Sequence, residues 1–166
     1  MENNNASRLV LLFTVCAAVF VWQTSESLPP VVASHFGLYG TANGFMPRTI
    51  YILFMLAFVL GLPALTTFIT RKATGNFTSL LNLPNKDYWL SPARRTESIA
   101  FLRIGFLLFN ILLVAFLCFA HWLVVLANRT HPAHLAEQWL LGGLGFFVAA
   151  VFIWLKVIHG RFNARA

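Results

Sequence analysis

The stretch Ile99–Ala127, IAFLRIGFLLFNILLVAFLCFAHWLVVLA, decides the fold. It is apolar all round a helix and contains one Lys, Arg, Asp or Glu, namely Arg103. A helix hydrophobic on every side is either buried in a large core or set in a membrane. About 20 apolar residues cross a bilayer core, and this run is longer than that. Three further runs share its character: Leu9–Trp22, Ile50–Thr70 and Trp139–Ile158. The whole chain of 166 residues is 58% hydrophobic and 10% charged, against about 25% charged in soluble domains. These observations predict an all-α integral membrane bundle of four transmembrane helices, at about 8–24, 49–70, 99–127 and 138–159, in a single membrane domain. Gly61 and Pro63 predict a kink in the second helix, because proline removes a backbone donor.

Lysine and arginine orient the bundle. Arg8 precedes the first run, and Arg71, Lys72, Lys86, Arg94 and Arg95 lie between the second and third. Lys156, Arg161 and Arg165 lie at or after the end of the fourth, whereas the other side holds Arg48 and Arg129. Nine against two predicts both ends of the chain on the cytoplasmic side, residues 71–98 as a cytoplasmic loop and residues 25–48 as an ordered outer loop. The net charge of +7 is then an orientation signal. It is accompanied by no basic face or aromatic platform, which argues against nucleic acid as a partner. The lipid bilayer is the expected partner, with Trp22, Trp122, Trp139 and Trp154 as interfacial anchors.

Within Ile99–Ala127, Arg103 and His121 are eighteen residues apart and fall at the same helical angle, with Asn110 about 20° away. The helix therefore carries a polar stripe. Intramembrane polar groups mark transport pathways, but they also serve as interhelical glue. The acids Glu2, Glu26, Asp87, Glu97 and Glu137 all lie outside the spans, so a carboxylate carrier site is missing. In the fourth run Gly145 and Ala149 form a small-xxx-small pair, a device used both for internal packing and for homodimers.

The loop Leu28–Arg48, LPPVVASHFGLYGTANGFMPR, has a different texture. Pro29-Pro30 stops a helix and forces extended backbone. Gly37, Gly40 and Gly44 offer positive φ, and Asn43-Gly44 is a turn dipeptide. Phe36, Tyr39 and Phe45 can fold the loop back onto the membrane surface. The order Leu28-Pro29, His35-Phe36, Gly40, Asn43-Gly44-Phe45 resembles a bacterial domain of unknown function of approximate form LPxxIPxHF, then glycine, then D/N-G-W/F. That domain opens membrane proteins related to Sdp-type bacteriocin immunity proteins. Ala33 stands where the family usually has proline and Asn43 where it usually has aspartate. Their later Y-G-x-R-T-P segment has its nearest counterpart at residues 85–92, without the glycine and the Arg-Thr pair. The resemblance implies a bacterial cytoplasmic membrane, a toxin-immunity or signalling-accessory role, and retention of the first helix. Arg8, the apolar stretch and Ser25-Glu26-Ser27 would otherwise also fit a cleaved signal peptide.

The candidate binding residues of the loop are His35, Phe36, Gly40, Asn43 and Gly44. His35 can titrate near neutral pH and meet a ligand, or it can tie the loop together. His35, His121, His131 and His134 all fall on the outer side, with His131 and His134 in HxxH spacing. Imidazoles bind zinc or copper, but without cysteine or paired carboxylates nearby no metal or cofactor is expected. The chain has no GxSxG, HExxH, P-loop or dinucleotide fingerprint, and no catalytic residue is assigned. Asn76-Phe77-Thr78 and Asn128-Arg129-Thr130 match glycosylation sequons. The function expected is a small non-enzymatic membrane protein that recognises something at the cell surface or through its basic loop. A small transporter using Arg103, Asn110 and His121 is the alternative, and an enzyme or metal binder using the outer histidines the second.

Overall fold

The computed structural model describes residues 2–75, 78 and 81–163, with side chains from Arg8 onward. Arg165 and the Asn76-Phe77 part of the first sequon lie outside the described residues. Four helices are long and apolar enough to span a membrane: α1 (Glu2–Ser25), α2 (Arg48–Thr74), α4 (Arg95–Ala127) and α5 (Glu137–Asn163). A short helix α3 (Lys86–Trp89) lies between α2 and α4. The protein is a multi-pass, all-α membrane bundle. Each long helix exceeds its apolar run by some residues, because helices continue through the interfaces where polar side chains are solvated. α2 runs through Pro63, and Thr66 Oγ1 lies 3.0 and 3.1 Å from the Leu62 and Pro63 carbonyls beside it.

α1, α2 and α4 pack mutually, and α5 packs mainly on α4. Ala17 and Val21 of α1, Tyr51, Met55 and Val59 of α2, and Val114 and Val125 of α4 form the central apolar cluster. The i, i+4, i+8 spacing of Tyr51, Met55 and Val59 puts all three on one helical face. α5 carries one fully buried residue, Phe162 near its end, in an aromatic cluster with Trp89 and Phe101. Trp89 Nε1 donates to the Phe162 carbonyl (2.8 Å), Arg94 lies over the Tyr88 ring and Arg161 over the Trp89 ring. This end of the bundle also holds Arg71, Lys72 and Arg95, so the basic residues gather at one end.

The opposite end is closed by the loop between α1 and α2. Its backbone forms an antiparallel hairpin, β1 (Val31–Phe36) and β2 (Ala42–Pro47), joined through a 3-10 turn at Leu38–Gly40. The order expected of this loop is therefore strand order, which its glycines and prolines did not reveal. Val32 and Met46 pair across the strands and pack on the central cluster. The turn expected at Asn43-Gly44 is elsewhere. Tyr39 (φ 65°) and Gly40 (φ 71°) supply the left-handed backbone, whereas Asn43 and Gly44 lie inside β2. Gly44 is opposite His35, and a Cβ there would come within 2.8 Å of the His35 Cβ. Close approach, not a turn, requires that glycine.

Candidate functional site

The hairpin is fastened to the helices at several points, and Asn128 makes the most specific of them. Standing just past α4, it accepts a hydrogen bond from the Ala33 N–H through Oδ1 and donates to the Ala33 carbonyl through Nδ2, both at 2.9 Å. The amide thus acts as a one-residue strand on the edge of β1. It also donates to the Val124 carbonyl (2.9 Å), which fixes its rotamer. Asn128 is 9% exposed, so its sequon is engaged inside the fold.

Arg48 closes the base of the hairpin. Its Nη1 donates to the Leu28 carbonyl (3.0 Å) and the Glu26 carbonyl (3.3 Å), and its backbone N–H donates to the Pro30 carbonyl (2.9 Å). Pro29-Pro30 prevents α1 from continuing; the Gln23, Thr24 and Ser25 carbonyls at its end accept from the Glu26, Ser27 and Leu28 N–H groups, and the arginine collects carbonyls of the connecting segment beyond it. At the tip, Leu135 N–H donates to the Gly40 carbonyl (2.9 Å), and Thr41 forms a bridge with His134. A side chain at Gly40 would collide with the Leu135 carbonyl, so the glycine permits the α4–α5 connection to dock there.

Beneath the hairpin a buried polar node joins three helices. His121 of α4 is 1% exposed, with Nδ1 2.9 Å from Tyr51 Oη of α2 and Nε2 2.8 Å from Thr24 Oγ1 of α1. Thr24 Oγ1 donates to the Phe20 carbonyl (2.6 Å). The histidine Nε2–H then donates to Thr24, and the Tyr51 hydroxyl donates to Nδ1. Every polar atom of the node has a partner, as a low-dielectric setting demands. Tyr51 stacks on the imidazole at 5.7 Å between centroids, and Phe20 meets its edge at 6.0 Å.

The sequence stripe is a real face. Arg103, Asn110 and His121 all meet α2: Arg103 Nε donates to Thr74 Oγ1 (3.1 Å), Thr66 Oγ1 donates to Asn110 Oδ1, and His121 meets Tyr51. Met55, Val59 and Val114 stand between the His121 and Asn110 levels, so the polar contacts form separate rungs. Sequence reasoning missed the partners Thr24, Tyr51 and Thr66. It also missed Asn128, although that residue follows His121 by the seven-residue interval that separates Arg103 from Asn110.

The loop residues singled out in the sequence go to different tasks. His35 and Asn43 are brought together, with Nδ1–H donating to Asn43 Oδ1 at 2.6 Å on the exposed side of the hairpin. Phe36 packs against the cluster of Leu123, Ala127 and Leu135. Gly40 receives the connection to α5, and Gly44 makes room for His35. The outer histidines do not converge: among the described residues no group of three His, Cys, Asp or Glu could hold a metal. Trp22 and Trp139 are exposed, as anchors should be, but Trp154 turns inward and donates to the Gly105 carbonyl (2.8 Å). Gly145 and Ala149 lie on the exposed face of α5, and a Cβ on Gly145 would meet nothing within 4 Å.

Residues 9–66 match the family model of a domain of unknown function, DUF1648. No curated protein and no solved structure matches the chain. The DUF1648 segment covers α1 from Leu9, the hairpin and α2 as far as Thr66. It is not self-sufficient in this fold. Thr24, Ala33, Tyr51 and Thr66 all lie within it, and each finds its polar partner on α4 or just beyond its end.

Proposed function

We propose that this is a non-enzymatic membrane protein whose hairpin is a rigid platform for recognising a protein at the outer surface. The roles that follow are toxin-immunity-like or signalling-accessory. The supporting observation is that a hairpin so firmly fastened leaves four large apolar side chains exposed. Val31 is 59% exposed, Leu38 85%, Tyr39 76% and Phe45 62%. Packing alone would turn such groups inward, and exposed apolar side chains on a fixed frame suit an interface. The excess of Lys and Arg at the other end supports a hairpin outside and both chain ends in the cytoplasm of a bacterial cell. The exposed Gly145–Ala149 face of α5 supports a homodimer formed through close helix approach.

Photo-crosslinking in cells from the exposed position Tyr39 tests the reading. Discrete protein adducts are expected, and Leu38→Ser with Phe45→Ser should remove them while the hairpin stays folded. Adducts to lipid alone would sink the proposal. The transporter reading draws on the stripe of α4, and it is weakened by the apolar layer of Met55, Val59 and Val114. Asn110→Leu should spare surface recognition, whereas a transporter would lose its activity.

A further inference from the structure

A groove of about 640 Å³ runs between α1 and α2 in the basic half of the bundle, far from the hairpin. Its body is lined by Leu11, Leu60, Pro63, Ala64 and Phe68, and its mouth by Arg8 and Arg71. Leu11 (64% exposed), Leu60 (43%) and Phe68 (58%) open it sideways to the bilayer. From Arg71 to Leu60 is eleven residues, about 16 Å at the helical rise, which is one leaflet of a roughly 30 Å core.

From this geometry we infer that the groove holds an acidic glycerophospholipid of the surrounding leaflet. The phosphate sits between Arg8 and Arg71, and the acyl chain lies along Leu11, Leu60, Ala64 and Phe68. None of the described lining residues is acidic, and both charged ones are arginines, which favours an anionic over a zwitterionic headgroup. The lipid also replaces the helix contact that α1 and α2 lack at this level.

The test is native mass spectrometry of the whole protein in neutral detergent with equimolar phosphatidylglycerol and phosphatidylcholine. Phosphatidylglycerol should be retained in preference, by roughly fivefold per arginine. Arg8→Gln with Arg71→Gln should abolish the preference. Ala64→Phe, at an exposed position, should displace both lipids without altering helix content, and so serves if the arginine variant fails to fold. Equal retention of the two lipids by the native protein would overturn the assignment. So would an undiminished preference in the double arginine variant, or displacement of the lipid by inorganic phosphate alone.

Discussion

The trio α1, α2 and α4 and the outlying helix α5 are all apolar enough to span a membrane, yet they are held in different ways. The trio is pinned by side-chain pairs that name their partners, His121 with Tyr51 and Thr24 and Asn110 with Thr66, and the hairpin is fastened to its end by Asn128 on the Ala33 backbone. α5 meets α4 mainly through aromatic surface, with Trp154 against Phe106 and Phe109, and adds one hydrogen bond from Trp154 Nε1 to the Gly105 carbonyl. Apolar surface gives helices little reason to choose one neighbour over another in lipid, whereas a buried hydrogen bond is lost unless the right neighbour is present. Specific order in this bundle should therefore follow its few polar residues.

The largest loss is expected where backbone groups are orphaned. Asn128→Leu leaves the buried Ala33 N–H and carbonyl without partners, at about 1–3 kcal/mol for each unsatisfied group. Hydrogen exchange should accelerate across β1 and β2 while α5 amides stay protected. If the hairpin amides keep their protection, the fastening is not what orders the loop.

Next in size is the node. Double-mutant cycles of His121→Leu with Tyr51→Phe should give a coupling of about 0.6–2 kcal/mol, the range for interhelical hydrogen bonds in membranes. A cycle pairing His121→Leu with Trp154→Phe should give none, because they sit in separate regions. Coupling of similar size in both cycles would erase the distinction between trio and outlier.

Smaller still is the Glu97–Arg161 ion pair that joins the start of α4 to the end of α5. Glu97→Gln should change the unfolding midpoint by less than about 1 kcal/mol equivalent, because exposed pairs are worth little. Gly145→Leu should leave the monomer as stable as before, since the added side chain meets no other part of the chain. Loss of a crosslinked dimer in that variant would show what α5 is for, and an unchanged dimer would remove the proposed interface.

Periodicity and length are local properties, so the spans and the shared angle of Arg103, Asn110 and His121 could be read from residue spacing alone. The hairpin could not be read with the same certainty. Its strands are short, Gly44 interrupts the alternation, and the expected Asn43-Gly44 turn gave way to Tyr39 and Gly40. His35 and Asn43 were visible as unusual residues, but their pairing depends on the strand register.

The sequence by itself determined that this chain is a four-span membrane protein, because the bilayer filters for length and apolarity one segment at a time. Tertiary structure decided which polar groups meet. The partners of His121 lie seventy residues away at Tyr51 and ninety-seven away at Thr24. Only the packing of three helices brings them within hydrogen-bond reach.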